Sequence, residues 1–191
     1  SAVVASPLKL YDCCPFSDGA SSVVLCSEKF AKAHGGDYVE VIGSGRGGSP
    51  AALQGREHMT TIPSTKIAAK AAYDMAGITA KDVDFAEVHD CFTIAEVVDT
   101  EDLGFFGKGE GIQAIREDRT KLNSDISINP SGGLKSKGHP IGATGVGQVA
   151  EVFDQLTGKA GARTVKDAKI GLTHNFGATG ASCAVHVFQS V

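Results

Sequence analysis

The chain lacks the features that would mark it for several special classes of protein. It has no tryptophan, only 6% aromatic residues, and no apolar run of the roughly 18 residues that a transmembrane helix needs. Its formal net charge of -4 gives no basic surplus for nucleic acid or an anionic membrane. The five cysteines include no Cys-x-x-Cys pair, which argues against a disulfide framework and a zinc site. This odd number of cysteines without such a pair makes a reducing cytoplasm the expected location. No signal peptide is visible at the N-terminus.

What the chain does contain is typical of a globular domain with close backbone contacts. Hydrophobic residues make up 42% and charged residues 21% of the 191 positions. The 24 glycines are more than the average of about 7% would supply. Many of them lie beside histidine or proline rather than in a low-complexity linker. This pattern indicates that the backbone approaches another group closely at those positions.

Hydrophobic periodicity predicts strands that alternate with helices along the chain. The predicted strands are 21–26, 38–42, 85–88, 170–174 and 183–188, and the predicted helices are 28–34, 64–75, 94–103 and 146–156. Residues 43–63 and 105–127 are expected to be irregular, because they are rich in glycine, serine, proline or charge. The alternation predicts a layered α/β domain with a sheet covered by helices.

Two details of the predicted helices can be checked directly. Ser27 and Ser64 are the expected N-caps of the first two helices. On the second helix, one predicted face is expected to pack closely against a neighbour. That face consists of Ile67, Ala68, Ala71, Ala72 and Met75.

Three predicted junctions between strands and helices carry the residues best suited to chemistry. They are residues 89–92, 138–145 and 174–180. Ligands of α/β folds bind at such junctions, so side chains from these three segments are expected to converge.

Each junction has a chemical interpretation and a plainer one. Cys91 follows His89 at a helix start, where the helix dipole favours a thiolate, but it also fits a small buried hydrophobe. His139 lies between Gly138 and Pro140, and it suits either acid–base work or a turn bonded to local backbone. The segment from His174 to Gly177 suits either an oxyanion hole or a tight glycine bend.

Taken together, these segments resemble the thiolases, which make and break carbon–carbon bonds in acyl-coenzyme A thioesters. The resemblance is carried by Gly-His-Pro-Ile-Gly-Ala-Thr-Gly at 138–145 and Ile-Asn-Pro-Ser-Gly-Gly at 128–133. His-Asp-Cys-Phe at 89–92 and His-Asn-Phe-Gly-Ala-Thr-Gly at 174–180 resemble the sterol-carrier-type and archaeal branch. Most thiolases instead have Asn-Glu-Ala-Phe and Cys-x-Gly at these two positions.

The resemblance implies a role for each candidate residue. His139 would activate a nucleophilic cysteine and polarise the thioester, His89 would bind a thioester or enolate oxygen, and Cys91 would be the second catalytic cysteine. Asn175 would stand where other thiolases keep cysteine, and Gly177 would offer an oxyanion-hole amide near His174. Coenzyme A thioesters would be substrates, with no metal or redox cofactor.

The resemblance also implies that this chain is one part of a site. A thiolase is a duplicated pair of α/β halves, and Ser-Asp-Gly-Ala-Ser at 17–21 resembles the end of the first half. Residues 1–35 would then end the first half and residues 36–191 would form the C-terminal domain, with a mixed five-stranded sheet. The nucleophilic cysteine would lie in a missing N-terminal half or second chain, in a parent enzyme that is a dimer or tetramer.

Three functions follow from these observations. The first is an acyl-CoA C-acyltransferase, in which this chain supplies the acid–base half and is inactive alone. The second is an aldolase of the same fold that acts on acyl-CoA adducts; retention of Cys91 favours the acyltransferase, since retro-aldol cleavage needs no thiol exchange. The third is a noncatalytic assembly subunit, against which the presence of His89, Cys91 and His139 counts.

Overall fold

The computed structural model describes every residue from Ser1 to Val191. It contains seven strands: β1 (Val3–Ala5), β2 (Leu8–Lys9), β3 (Val39–Gly48), β4 (Phe85–Glu87), β5 (Ser127–Ile128), β6 (Ile170–Gly177) and β7 (Ser182–Ser190). Its α-helices are α1 (Glu28–His34), α2 (Pro63–Ala76), α3 (Thr93–Asp102), α4 (Gly111–Arg116), α5 (Gly133–Lys137) and α6 (Thr144–Leu156). No helix combines the length and the apolar character that crossing a membrane requires.

Five of the strands form one mixed sheet in the order β3-β7-β6-β4-β5, which confirms the predicted fold class. Strand β4 is parallel to β5 and β6, whereas β7 is antiparallel to β6 and β3. Alternating strand residues divide the core into two clusters. One contains Ala86 with the alanines of α2, and the other contains Phe85 with Val152 of α6. Helices α2 and α6 therefore cover opposite faces of the sheet.

Strand β3 is longer than predicted because its glycines meet a helix. Residues 43–48 were expected to be irregular, yet they pair with β7 throughout. A Cβ atom on Gly45 would lie 2.0 Å from the carbonyl oxygen of Ala68, and one on Gly47 would lie 1.9 Å from that of Ser64. The backbone of α2 therefore rests directly on β3. These glycines serve close approach within a strand rather than a turn.

The same contact explains why the predicted details of α2 are wrong. Pro63 occupies the first helical position, so Ser64 lies inside the helix and its hydroxyl donates to the Gly180 carbonyl at 2.7 Å. Ile67 and Met75 are 51% and 65% exposed, although they were expected to be buried. The buried face has smaller residues because only these fit against the glycines of β3. Its members are Ser64, Thr65, Ala68, Ala69 and Ala72.

The N-terminal segment contributes little to the core. Helix α1 forms as predicted, and the hydroxyl of Ser27 accepts a hydrogen bond from the Phe30 amide at 3.3 Å. The strand predicted at 21–26 is absent, and Val24 and Leu25 are 89% and 79% exposed. An extended segment becomes a strand only when a neighbouring strand pairs with its backbone, and none lies beside this segment.

Helices α4 and α5 were not predicted from the sequence. Helix α4 interrupts the stretch 105–127 that was expected to be irregular, and α5 follows the Asn-Pro-Ser-Gly-Gly segment. Both are too short to give a clear helical period in their hydrophobic residues.

The contact between β3 and α2 predicts very different effects for two glycine substitutions on one strand. Gly45→Ala should destabilise the protein by about 3 kcal/mol or more, the upper end of the range for overpacking, because its Cβ meets backbone. Gly48→Ala is the matched control: its Cβ would come no closer than 3.9 Å to Ala181, and a change within about 0.5 kcal/mol is expected. Urea unfolding measures both, and equal losses would contradict the described packing.

Candidate active site

The parallel arrangement of β4 and β6 brings three of the predicted site residues together. The carboxyl ends of parallel strands lie at one edge of a sheet, and His89 follows β4 while Asn175 lies near the end of β6. The rings of His89 and His139 are 4.9 Å apart between centroids and meet edge to face at 81°. Nδ1 of His89 lies 3.0 Å from Oδ1 of Asn175. Phe176 packs against the His89 ring with centroids 4.8 Å apart.

His139 is held so that one ring nitrogen remains available. Its Nδ1 lies 2.7 Å from the Thr144 hydroxyl, and that hydroxyl donates to the carbonyl of Pro140 at 3.1 Å. Because the hydroxyl proton is used there, its oxygen accepts a hydrogen bond from Nδ1–H, and Nε2 of the neutral ring carries a lone pair. Burial lowers the pKa of His139, with the charge of Asp90 opposing that shift. The ring is therefore a neutral proton acceptor at neutral pH.

Gln148 is a site residue that the sequence reasoning missed. It lies on α6 one turn after Thr144 and is 1% exposed. Its side-chain NH2 donates to the Val88 carbonyl at 3.2 Å, and its oxygen accepts from the NH2 of Asn175. Two polar residues one turn apart at the start of a strongly apolar helix are the sequence signal that could have identified Thr144 and Gln148 together.

Cys91 lies at the predicted junction but is not activated as expected. Burial, with smaller contributions from the nearby Cys14 and Asp99, raises the pKa of its thiol to about 12. Helix α3 begins at Thr93, yet the opposing hydrogen bond from the Phe92 backbone is a smaller effect. The expectation that the helix dipole favours a thiolate is therefore corrected. Cys91 is a neutral thiol, which suits it to give a proton rather than to hold a negative charge.

His174 lies on the opposite face of β6 from Asn175, because neighbouring strand residues point to opposite faces. It is completely buried, with Nε2 2.9 Å from the Thr65 hydroxyl and Nδ1 3.7 Å from Oδ2 of Asp99. A contact of His174 with a substrate stays a prediction, and its complete burial does not favour that contact. Gly177 ends β6 and is exposed, so its backbone remains accessible at the edge of the site.

His174 and Asp99 form a buried pair of neutral groups. Burial, with a smaller contribution from the nearby His89, lowers the pKa of His174 to about 3. Burial raises the pKa of Asp99 well above its ordinary value, with Asp102 adding to the shift. Neither carboxyl oxygen of Asp99 has a hydrogen-bond partner. Burial without a hydrogen-bond partner therefore favours the protonated form of this carboxyl in the folded protein.

Two buried carboxyl groups hold the loop that leads to His139. Asp90 accepts hydrogen bonds from the amides of Leu134 and Lys135 at 2.7 and 3.2 Å. Glu87 accepts from the amide and hydroxyl of Ser131 at 3.0 and 2.5 Å. The Asn-Pro-Ser-Gly-Gly segment is thus tied to β4 and the residues that follow it, which fixes the position of His139 relative to His89.

Residues 45–190 match the family described as thiolase C-terminal domain-like, and the chain belongs to that family. An acetyl-CoA acetyltransferase of Methanothermobacter thermautotrophicus is 49% identical over 189 residues, which are 99% of this chain and 49% of that protein. Human sterol carrier protein 2 is 39% identical over 191 residues, covering 91% of this chain and 33% of that protein. The chain spans about half the length of the acetyltransferase relative.

The fold is also shared with a solved structure. The Ltp2-ChsH2(DUF35) aldolase superposes with a TM-score of 0.87, covering 100% of this chain and 49% of that chain. The sequence identity is 21%, so this likeness concerns the fold.

The buried carboxyl of Asp99 predicts a stability that depends on pH. Its pKa is raised in the folded state. The stability that this carboxyl contributes is therefore fully present below its unfolded pKa of 3.8 and is lost as pH rises. The free energy of unfolding of Asp99→Asn should therefore rise relative to that of the wild type, by up to about 1.4 kcal/mol per pH unit between pH 5 and 7.

Urea unfolding at several pH values measures this gain. The control is Asp74→Asn, because Asp74 is exposed on α2 beside Lys70. The difference between the control and the wild type should not change over the same pH range. A constant difference between Asp99→Asn and the wild type would show that Asp99 is ionised in the folded protein.

Proposed function

We propose that this chain supplies the acid–base half of an acyl-CoA C-acyltransferase that carries out the thiolase reaction. The observation that carries the proposal is the meeting of the His89 and His139 rings at the carboxyl edge of the sheet, with Nε2 of His139 available as a proton acceptor. Membership of the thiolase C-terminal domain-like family supports the proposal, as does the name of the 49% identical acetyltransferase.

In this proposal His139 acts on the nucleophile. Its Nε2 lone pair takes the proton of a cysteine thiol in the other half, and the thiolate attacks the 3-keto carbon of a 3-ketoacyl-CoA. The imidazolium so formed donates a hydrogen bond to the oxygen that becomes negative. Thr144 favours this order of steps because its hydroxyl oxygen accepts a hydrogen bond from Nδ1–H and leaves the Nε2 lone pair free.

Cys91 acts on C2, the carbon atom that leaves as part of acetyl-CoA. When the bond between C2 and C3 breaks, the electron pair stays on C2 as the enolate of acetyl-CoA, and the Cys91 thiol gives it a proton. A thiol with a pKa near 12 is protonated before this step, as a proton donor must be. The acyl group on the nucleophilic cysteine then passes to the thiol of a second coenzyme A, whose proton returns to the Cys91 thiolate. Gly177 would offer a backbone amide to an oxyanion at the edge of the site.

The exposed apolar surface supports a site completed by further protein. Helix α1 has no buried residue, and Val24, Leu25 and Phe30 are largely exposed. Residues 22–41 and α6 line a cavity of about 730 Å³ that none of the candidate site residues touches. We place residues 1–35 at the end of a first half and residues 36–191 in the second domain. The nucleophilic cysteine then belongs to the first half, in a dimeric or tetrameric enzyme.

The role of Cys91 is tested in the full-length protein by thiolysis of acetoacetyl-CoA. Acid–base groups contribute about 10²–10⁴-fold, so Cys91→Ala should lower kcat by that order while acylation of the nucleophilic cysteine stays detectable. Cys183→Ala is the control, because Cys183 is buried in β7 near Thr65, on the face away from His139, and its loss should alter stability alone.

Two results would contradict the assignment. Wild-type kcat in Cys91→Ala would return Cys91 to a structural residue. Turnover by residues 1–191 alone, at the rate of the full-length protein, would show that no other half is needed. Cleavage of a β-hydroxyacyl-CoA without any thiolysis would indicate the aldolase, and failure of both reactions would leave an assembly role.

A further inference from the structure

A series of hydrogen-bonded amide groups ends on Nδ1 of His89. It starts at the backbone carbonyl of Val88, which accepts from the side-chain NH2 of Gln148 at 3.2 Å. The oxygen of Gln148 accepts from the NH2 of Asn175, and the oxygen of Asn175 lies 3.0 Å from Nδ1 of His89. This series of hydrogen bonds connects β4, α6 and β6 at the edge of the sheet.

The orientation of every amide group in this series is set by the first acceptor, the carbonyl of Val88. A backbone carbonyl has no proton to give, so Gln148 must turn its NH2 toward Val88. The oxygen of Gln148 then faces Asn175, which must turn its own NH2 toward it. The reverse orientation would place two oxygens about 3.2 Å apart in a buried position, where an unsatisfied polar group costs about 1–3 kcal/mol.

We propose that Gln148 is a positioning residue that, through Asn175, fixes the proton of His89 on Nδ1 and makes Nε2 of His89 a proton acceptor. The oxygen of Asn175 can only accept, so the ring nitrogen facing it must donate. A neutral imidazole carries one N–H, and the other nitrogen is then a lone pair.

This assignment changes what His89 can do in the proposed reaction. A neutral His89 cannot donate a hydrogen bond from Nε2 to an oxyanion, which is the role that the family resemblance implies. A second proton would be needed, and burial opposes it by lowering the pKa of His89; the hydrogen bond to Asn175 offsets part of this shift, and the nearby His139 adds to it. His89 is instead a second base, in addition to Cys91, whose neutral thiol must lose its proton in the condensation direction. This role rests on the proposed function, whereas the position of the proton does not.

The position of the proton can be measured without substrate. Long-range ¹H–¹⁵N correlation spectra of residues 1–191 at pH 8 distinguish imidazoles that carry the proton on Nδ1 from those that carry it on Nε2. His89 in the wild type should carry it on Nδ1. In Gln148→Leu, Asn175 loses its anchor and is free to turn, so the Nε2–H form of His89 should become populated.

Gln155→Leu is the matched control. Gln155 is also buried on α6, but its amide contacts Glu151, Arg163 and Val165 rather than Asn175. This variant should leave His89 in the Nδ1–H form. The proposal is overturned if wild-type His89 carries its proton on Nε2, or if Gln148→Leu leaves the Nδ1–H form unchanged.

A second variant decides the matter if Gln148→Leu does not fold. Asn175→Asp keeps an acceptor opposite Nδ1 and adds a negative charge, so His89 should stay in the Nδ1–H form and its pKa should rise. Movement of the proton to Nε2 in this variant would contradict the proposal. Because none of these measurements uses acyl-CoA, their failure is distinguishable from failure of the proposed acyltransferase activity.

Discussion

The register of strand β6 is the constraint on which the rest of the site depends. Two polar residues follow each other on this strand, and the strand's alternation sends His174 to one face and Asn175 to the other. His174 meets Thr65 of α2, while Asn175 meets His89 and the α6 residue Gln148. A slip of one residue would exchange these partners. The glycine contact between β3 and α2 supports the register, because it brings Thr65 close enough to reach the strand.

Burial without charge is the second property of this site. Burial lowers the pKa of His89 and His139 and raises that of Cys91, so all three groups are neutral at neutral pH. A helix terminus stabilises an anion by about 0.3–1 kcal/mol, which is less than the 1.36 kcal/mol of a single pKa unit. Such a contribution cannot offset the desolvation of the Cys91 thiol. Proton transfer between neutral partners is therefore the chemistry that this arrangement favours.

The sequence was informative where a residue type has only one use. The motifs around His89 and His139 indicated the site, and hydrophobic segments predicted four of the five strands of the sheet, whereas the edge strand β5 was not predicted. Predictions from the sequence were wrong where the structural role of a residue depends on a neighbour far away in the chain. The glycines of 43–48 were interpreted as a loop because the helix that lies on them comes later in the chain. His174 was grouped with Asn175 because adjacency in sequence hides the alternation of a strand. Gln148 has no motif, and its role is visible only through its contacts.

The central claim is that the carboxyl edge of β4 and β6 receives the thioester of an acyl-CoA. A crystal structure of the full-length protein with a bound, non-reactive acyl-CoA analogue tests it most directly. The account predicts that the thioester lies at this edge beside the rings of His89 and His139, on the side of the sheet that α6 covers. A thioester bound in the cavity between residues 22–41 and α6, or on the α2 face beside His174, would contradict it.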